Sequence, residues 1–324
     1  MHDVCIVGAG PAGLNAALIL GRCGRDVIVF DSGQPRNAAS RGLHGFLTRD
    51  GFHPKQLRQC GRDEIAKYPS VKFADVQVAT IQKREDGFSV ITDDGGAVAA
   101  RVVLLATGRI DVLPDRPGFR EYYGHGVYHC PYCDGWEHRG QRIAVYGDCP
   151  AVVDFALTLL TWTRHLILCP TDPCAVIDRD RERLAQNGIE VAPAAVARLK
   201  GDGEKLTHIE FDNGAREACE AVFFTSELPQ KSTLAQSLGC QLDEGGSVIC
   251  KAHAATGVPG VYVAGNVRGG VHLAIMAAAE GAEAGIAINE ELADRELKGT
   301  ADGRPGRDTP LEQRAGAKIP SQKG

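Results

Sequence analysis

A glycine-rich segment near the N-terminus constrains the fold of this chain more than any other feature. The residues G8-A-G-P-A-G13 follow the apolar strand V4-C-I-V7 and precede an apolar helix that begins near Leu14. Glycines in a G-x-G-x-x-G pattern allow a tight turn, a close approach of backbone to a pyrophosphate, and close packing of helix on strand. The next strand, D26-V-I-V-F30, is followed by Asp31, a carboxylate suited to ribose hydroxyls. This arrangement is typical of a dinucleotide-binding unit.

The loop would place phosphate groups at the start of the following helix, where backbone N–H groups without helical partners favour anions. Pro11 suits the first turn of this helix because its missing N–H is not needed there. Asp31 disfavours a ligand with a 2′-phosphate, so the loop indicates FAD or NAD rather than NADP.

A second strand–turn–helix start occurs in the middle of the chain. The segment R142-I-A-V-Y-G147 precedes an apolar helix from Ala151 to Leu160 and a strand at H165-L-I-L-C169. Alternating strands and helices favour parallel sheets. Later, V258-P-G-V-Y-V-A-G-N266 and an Ala-rich helix would return the chain to the first sheet. The sequence therefore predicts an α/β fold with two dinucleotide-binding, Rossmann-like domains, the second inserted into the first.

The predicted first domain is discontinuous and comprises residues 1–115 and 252–297. The inserted domain, residues 116–251, carries the nucleotide-type unit. Residues 298–324 contain Gly, Pro, Lys and Arg with little apolar content, which predicts a disordered tail.

Composition excludes several functional classes. The 324 residues are 44% hydrophobic and 24% charged, as in soluble globular proteins, and the net charge of −5 provides no basic surface for nucleic acid or an anionic membrane. No apolar run reaches membrane-spanning length, and a strand from residue 4 leaves no room for a signal peptide. We therefore expect a cytoplasmic protein in which most of the eleven cysteines are buried and reduced.

The segment H129-C-P-Y-C-D-G-W-E137 holds two cysteines at a redox spacing. A glutaredoxin would need this motif after the first strand of a domain of about one hundred residues, whereas here it precedes the second strand–helix unit. A zinc site would need a second CxxC or a matched pair of histidines, so no metal is expected. Two inert structural cysteines are also disfavoured, because polar and aromatic residues flank the pair.

Thiol–disulfide exchange requires one accessible sulfur and a second sulfur that resolves the mixed disulfide. A CxxC at the start of a helix has a lowered thiol pKa, owing to the helix dipole and the partner sulfur. Proton transfer requires an acid or base within reach of the sulfur. Asp134, His129 and His138 are the candidates, and the sequence leaves the choice among them open.

These motifs together resemble the low-molecular-weight thioredoxin reductase family over nearly the whole chain. The resemblance is carried by G8-A-G-P-A-G13, A106-T-G108, C130-P-Y-C-D-G135 and V258-P-G-V-Y-V-A-G265. CPYC followed by Gly-Trp-Glu, with R36-N-A-A-S40 and H44-G-F-L47, is most similar to a subgroup of dithiol oxidases. Those enzymes close the disulfides of natural products such as gliotoxin, holomycin and romidepsin. The family is usually homodimeric, which implies a homodimer here.

The resemblance also implies roles for individual residues. Cys133 would face the flavin, Cys130 would exchange with the substrate, and Asp134 would carry the proton. The paired strand-end motifs at residues 104–109 and 261–266 imply that the first loop binds FAD, and a helix starting near residue 273 would stabilise a reduced flavin. The residues implied for FAD are Gly8, Gly10, Pro11, Ala12, Gly13, Asp31, Arg36, Asn37, His44, Val78, Thr107, Gly108, Gly265, Asn266, His272, Leu273 and Ala274.

The second glycine loop departs from the pattern of that family. In G147-D-C-P-A-V152, Cys149 and Val152 stand where glycines are expected, and C169-P-T-D172 stands where the family has basic residues for a 2′-phosphate. The arginines further on, Arg179, Arg181 and Arg183, predict a solvated helix face. We therefore expect NADP(H) to bind weakly or not at all.

These departures favour an FAD-dependent dithiol oxidase. A small-molecule dithiol would reduce the Cys130–Cys133 disulfide, and oxygen would finally accept the electrons and form hydrogen peroxide. Asn266, where the family usually has Asp, would raise the flavin potential slightly in the same direction. One alternative is a thioredoxin reductase, driven by NADPH or another donor such as ferredoxin. A non-catalytic, flavin-binding redox sensor is the other, and the intact CxxC-Asp motif disfavours it.

Overall fold

The computed structural model of the protein describes residues 1–225 and 227–301. Its strands are β1 (His2–Val7), β2 (Val27–Phe30), β3 (Val71–Ala74), β4 (Val78–Arg84), β5 (Gly87–Thr92), β6 (Ala97–Leu105), β7 (Val127–Tyr128), β8 (Ile143–Gly147), β9 (Leu166–Pro170), β10 (Glu190–Val191), β11 (Val196–Asp202), β12 (Lys205–Phe211), β13 (Arg216–Ala218), β14 (Ala221–Phe224) and β15 (Val261–Val263). Its α-helices are α1 (Pro11–Arg22), α2 (Pro54–Ile65), α3 (Pro131–Asp134), α4 (Ala151–Leu159), α5 (Asp178–Gln186), α6 (Leu234–Ser237) and α7 (Ala274–Ala301). Short 3₁₀ turns lie at Arg36–Ala39, Pro173–Ala175, Ala252–Ala254 and Gly265–Arg268.

The chain forms two compact units. Among the described residues, the first unit contains residues 1–36, 55–110 and 230–301, and the second unit contains residues 37–54, 111–225 and 227–229. Within the described residues, no helix has both the length and the apolar character needed to cross a membrane.

The first unit is built on a sheet of order β3-β2-β1-β6-β5-β4, with β15 also paired to β6. Strands β1, β2, β3, β6 and β15 pair in parallel, whereas β4 and β5 add an antiparallel edge. The apolar run of β1 is buried on both faces, as expected for a central parallel strand. Val4 and Ile6 pack in one cluster with residues of α1 and α7, and Cys5 and Val7 pack in the cluster on the other face.

The second unit has a five-stranded parallel sheet of order β10-β9-β8-β14-β7 and a separate antiparallel sheet, β11-β12-β13. Its apolar strands β8, β9 and β14 are fully buried. The predicted α/β class is therefore confirmed. The insertion is confirmed too, because β15 follows the second unit in sequence and pairs with β6 in the first sheet.

The compact units differ from the predicted domain boundaries at residues 37–54, 111–115 and 230–251, and helix α7 enters the predicted tail. Residues 230–251 belong to the first unit, because Leu234, Ala235, Cys240 and Val248 are buried in the same cluster as residues of β1 and β6. Residues 37–54 belong to the second unit. Helix α7 continues to Ala301, so residues 298–301 of the predicted disordered tail are helical. Residues 302–324 of that tail lie outside the described residues.

Candidate active site

The first glycine loop joins β1 to α1 and has the features of a dinucleotide cradle. Gly8 has a φ of +108°, and a Cβ there would lie 2.3 Å from the carbonyl oxygen of Ala106. A Cβ on Gly13 would lie 1.8 Å from the carbonyl oxygen of Gly8. At Gly10, in contrast, an added Cβ meets nothing within 4 Å. Backbone packing therefore excludes side chains at the first and third glycines, while the space above Gly10 can accept a pyrophosphate.

Asp31, at the end of β2, lies in a cluster that the sequence did not predict. One carboxylate oxygen is 3.4 Å from the backbone nitrogen of Ala9, and the other lies 3.7 Å from Arg58 and 3.4 Å from Arg62. Within the described part of the chain, the Arg58 Nε is buried without a hydrogen-bond partner. A buried donor of this kind beside the carboxylate predicted to bind ribose fits the presence of a cofactor at this end of the loop.

Two strand-end motifs complete the candidate cofactor site in the first unit. Thr107 and Gly108 follow β6, and Gly265 and Asn266 begin a 3₁₀ turn after β15. The Gly265 N–H donates to the Glu280 carboxylate of α7 over 2.8 Å. This bond anchors the backbone of the second motif to the helix that follows it.

Arg109 supplies a second anchor for the same turn and is almost fully buried. Its Nε donates to the Asn266 carbonyl oxygen over 2.9 Å, and its other nitrogens donate to Gly245 and Ser247. The sequence prediction missed both Arg109 and Glu280.

The remaining residues predicted for FAD fall in both units. Arg36, Val78, His272, Leu273 and Ala274 belong to the first unit, whereas Asn37 and His44 belong to the second. Their contacts with FAD stay predictions.

The cysteine pair lies at a single turn of helix that follows β7. Cys130 is the N-cap residue of α3, and Cys133 lies inside the turn, with both side chains half-buried. Because the helix has four residues, its dipole is weak, and the predicted dipole contribution to the thiol pKa loses most of its physical basis. Gly135 ends the turn, where a Cβ would come within 2.8 Å of the Trp162 ring. The glycine thus lets the redox turn pack on Trp162.

Asp134 has the electrostatic character expected of an acid–base group. Burial of its carboxyl, together with the nearby Cys130 sulfur and the Glu137 carboxylate, raises its pKa to about 7, while His44 acts in the opposite direction. A group with this pKa can both accept and release a proton near neutral pH. The electrostatic coupling links Asp134 to the cysteine that the resemblance assigns to the substrate.

His129 belongs to a second polar cluster beside the cysteine pair. Its Nδ1 lies 3.3 Å from the Tyr123 hydroxyl and 3.8 Å from an Asp111 carboxylate oxygen. The Tyr123 hydroxyl donates to the other Asp111 oxygen over 2.7 Å. The Asp111 carboxylate is almost fully buried, so these contacts fix one edge of the imidazole. Neither Asp111 nor Tyr123 was predicted from the sequence.

His138 makes contacts of a more structural kind. Its Nδ1 lies 2.7 Å from the Gln141 side-chain oxygen, and its ring packs against Tyr128 at 4.9 Å and Phe223 at 6.3 Å between ring centroids. These contacts weaken the case for His138 as the acid–base group. Within residues 1–225 and 227–301, no three His, Cys, Asp or Glu side chains gather as metal ligands would.

The second glycine loop joins β8 to α4 and carries side chains at two positions where the first loop has glycines. The Cys149 side chain is half-buried, and its thiol pKa is raised by burial and by the carboxylates of Asp180, Asp148 and Asp172. Val152, at the position of the third glycine, is fully buried. Arg181 acts on this thiol in the opposite direction. A half-buried thiol thus stands where a phosphate-binding loop needs bare backbone.

The arginines after this loop are exposed or half-exposed, as predicted for a solvated helix face, and two of them also make contacts within their own region. Arg181 donates to the carbonyl oxygens of Val176 and Pro173. Arg183 pairs with Asp154 and Asp180 at 2.9 and 3.2 Å. Both arginines therefore support the fold around α5.

Comparison with known proteins agrees with this geometry. The family model described as pyridine nucleotide-disulphide oxidoreductase matches residues 2–281. The chain is 33% identical over 325 residues to the "Probable thioredoxin reductase" of Arthroderma benhamiae, covering 90% of this chain and 80% of the relative. It is 29% identical to thioredoxin reductase sirT of Leptosphaeria maculans, and the match covers 89% of this chain and 94% of the relative. The crystal structure of HlmI superposes with a TM-score of 0.90 at 35% identity, and the match covers 93% of this chain and 96% of the HlmI chain.

The match spans both units, the first glycine loop and the cysteine pair. It accounts for the cradle at Gly10 and for the carboxylate at the end of β2, since the family implies FAD binding. The chain belongs to the pyridine nucleotide-disulphide oxidoreductase family and is a thioredoxin reductase-like flavoprotein.

Proposed function

We propose that the protein is an FAD-dependent dithiol oxidase that closes a disulfide in a small-molecule, natural-product dithiol and uses oxygen as electron acceptor. The observation that carries this proposal is the second loop, where Cys149 and Val152 replace two glycines and the charges of Asp180, Asp148 and Asp172 act on the Cys149 thiol. A nicotinamide dinucleotide carries several negative charges, which these carboxylates would repel. Electrons therefore enter from the dithiol rather than from NADPH.

The surroundings of the second loop support this direction of electron flow. Recognition of a 2′-phosphate calls for arginines that present open guanidinium edges. Arg181 and Arg183 instead bond to backbone carbonyls and to carboxylates of their own region. We propose that NADP(H) binds weakly or not at all.

The cysteine pair performs the exchange in two steps. One substrate thiolate attacks the Cys130 sulfur, which breaks the Cys130–Cys133 bond and releases Cys133 as a thiolate. The second substrate thiolate then attacks the substrate sulfur bound to Cys130, which closes the substrate disulfide and releases the Cys130 thiolate. The substrate exchanges two S–H bonds for one S–S bond, and the Cys130–Cys133 bond gives two thiolates that hold the two electrons. The two protons pass to a base of the site and to solvent.

Asp134 accepts protons from the substrate thiols, since its pKa of about 7 allows a carboxylate to form near neutral pH. His129, held at its Nδ1 edge by Asp111 and Tyr123, is the second candidate for this role.

The first unit would hold FAD through the Gly8–Gly13 loop, Asp31 and the two strand-end motifs. When bound, FAD would supply a two-electron relay from the cysteine pair to oxygen, which with two protons would give hydrogen peroxide. Cys133 would face the flavin and Cys130 the substrate, as in the dithiol oxidases that the motifs resemble. We also propose a homodimer in the cytoplasm, as that resemblance implies.

The experiment follows dithiol oxidation and FAD content together. Cys130→Ser and Cys133→Ser are each expected to reduce dithiol-dependent peroxide formation at least ~1000-fold, because neither single thiol can form the redox disulfide. Both variants should keep wild-type FAD absorbance. Cys174→Ser is the matched control, since Cys174 is exposed and lies outside the redox turn. Turnover that survives either redox substitution would overturn the assigned roles.

A thioredoxin reductase is the second candidate function. It is favoured by the names of the relatives, which include "Probable thioredoxin reductase" and thioredoxin reductase sirT. In that case NADPH or another donor, such as ferredoxin, would drive reduction of a protein disulfide. Rapid reduction of a thioredoxin disulfide with either donor, without turnover of small dithiols, would establish this alternative.

A further inference from the structure

We propose that Arg58 of α2 is a further cofactor-binding residue, which together with Asp31 recognises the ribose hydroxyls at the adenosine end of FAD. We further assign Arg62 as the positioning residue that holds the Asp31 carboxylate. The proposal rests on FAD binding by the first unit and is independent of the direction of electron flow. All three residues lie in that unit.

The Arg58 side chain is mostly buried, yet its guanidinium has unused hydrogen-bonding capacity. The side chain is 21% exposed. Among the described residues, its Nε is buried without a hydrogen-bond partner, and its Nη1 lies 3.7 Å from an Asp31 oxygen, which is beyond hydrogen-bond distance. A buried N–H that lacks an acceptor costs free energy and calls for an explanation. A bound ligand that offers an acceptor to the guanidinium supplies that explanation.

Arg62 lies one turn further along α2, and protein groups hold it on three sides. Its Nη2 is 2.7 Å from an Asp75 oxygen and 3.4 Å from the Asp31 oxygen that also faces Arg58. Its guanidinium carbon lies over the Phe73 ring, 4.7 Å from the ring centroid. A guanidinium with two carboxylate neighbours and an aromatic face has little freedom to turn toward a ligand. Arg62 therefore fixes the Asp31 carboxylate, while Arg58 is left for the cofactor.

Asp31 and Arg58 together match the chemistry of a ribose diol. The second Asp31 oxygen accepts the Ala9 N–H over 3.4 Å, which places the carboxylate against the backbone of the first glycine loop. A carboxylate only accepts hydrogen bonds and a guanidinium only donates them, whereas a hydroxyl does both. Two neighbouring hydroxyls can thus donate to Asp31 and accept from Arg58 at the same time. An adenosine that lacks one of these hydroxyls cannot serve both groups.

The test measures the affinity of the apoprotein for FAD and for two FAD analogues, which carry 2′-deoxyadenosine or 3′-deoxyadenosine, by the change in flavin fluorescence. The wild-type protein should bind at least one analogue about 10-fold more weakly than FAD, the scale of one hydrogen bond to a charged group. Arg58→Met should lower the FAD affinity by a similar factor of about 10. It should also reduce the discrimination against that analogue to less than about 3-fold, because the hydroxyl and its donor form one interaction.

Arg62 should show the behaviour of a positioning residue. Arg62→Met is expected to lower the FAD affinity about 5-fold, because Asp31 loses a partner that is only partly exposed. Arg62→Lys should recover most of this loss, since a cation is kept between the Asp31 and Asp75 carboxylates. Loss of affinity in Arg62→Met without recovery in Arg62→Lys would remove the positioning role.

Arg84→Met is the matched control, because Arg84 is an exposed arginine of the same unit that bonds to the Gln82 side chain. Urea denaturation of each apoprotein separates weaker binding from weaker folding. Wild-type FAD affinity in Arg58→Met, an equal loss for FAD and both analogues, or a wild-type protein that does not discriminate against either analogue would overturn the inference. Absence of dithiol oxidation by the FAD-loaded wild-type protein would instead overturn the proposed function and leave this inference standing.

Discussion

The two strand–loop–helix units of this protein have similar loop sequences but differ in the groups at the second and third glycine positions. The first loop reads G-A-G-P-A-G from Gly8, and the second reads G-D-C-P-A-V from Gly147. Proline and alanine occupy the same places in both. In the first loop the helix begins at Pro11, and open space lies above Gly10. In the second loop the helix begins one residue later, at Ala151, and a half-buried thiol takes the place of the glycine.

This difference shows that a fold of this type can form without glycines at the second and third positions of its loop. Strand β8 and helix α4 pack into a buried core although Cys149 and Val152 replace two glycines. Glycine at these positions serves the ligand and close helix–strand packing, whereas the apolar strands and helix carry the fold. The second unit thus keeps its fold with side chains at two of the three glycine positions of its loop.

The largest effect on stability is expected from Gly13→Val, which gives the first loop the valine that the second loop has at Val152. Gly13→Val would drive a side chain into the Gly8 carbonyl, since even a Cβ lies 1.8 Å away. We expect the free energy of unfolding to fall by about 4 kcal/mol or more, measured by urea denaturation. Gly257→Val is the control, because its site is exposed and an added Cβ meets nothing within 4 Å. An unfolding curve for Gly13→Val that matches wild type would show that the loops are interchangeable.

A smaller and more selective effect is expected at the second glycine. Gly10→Ala adds a methyl group in open space, with a backbone φ of −74° that alanine readily adopts. The fold should be unchanged, but the methyl group would stand where the pyrophosphate approaches. We expect FAD affinity to fall about 100-fold, or about 2.7 kcal/mol, in titrations of the apoprotein followed by flavin fluorescence. Gly257→Ala serves as the control. An FAD affinity of Gly10→Ala equal to that of the wild type would contradict FAD binding by this loop.

The smallest effect is expected from substitutions that make the second loop more similar to a nucleotide-binding loop. Cys149→Gly with Asp172→Arg restores open backbone and adds a cation, but Asp148 and Asp180 remain. We expect NADPH-driven flavin reduction to rise by a factor of about 3 to 10, measured anaerobically at low ionic strength. Asp172→Asn alone should give a smaller rise. No change in the double variant would mean that the acidity of this loop does not decide its selectivity.

Local patterns in the sequence predicted most of the fold. Apolar runs such as V4-C-I-V7 and I143-A-V-Y146 became buried parallel strands, and the return of residues 261–263 to the first sheet was predicted from an apolar strand and an Ala-rich helix after the inserted domain. The boundary near residue 250 was wrong, because Leu234 and Val248 are buried against the first sheet without a local signal for this contact. Only tertiary packing reveals which core such a segment joins.

The candidate site was predicted less completely than the fold. Cysteines at CxxC spacing and glycines in a loop are recognisable from their neighbours in sequence. The groups that tune them are distant in sequence: Arg58 beside Asp31, Asp111 beside His129, and His44 beside Glu137. Each pair joins residues from separate elements, so no spacing along the chain could predict them.

The most direct test of electron entry is anaerobic reduction of the bound flavin, followed at its absorbance near 450 nm. Equal concentrations of NADPH and of a small dithiol are added to separate samples of the wild-type protein. Entry through the cysteine pair predicts rapid bleaching by the dithiol and no rapid bleaching by NADPH. Rapid bleaching by NADPH with none by the dithiol would contradict the account and identify an NADPH-driven reductase.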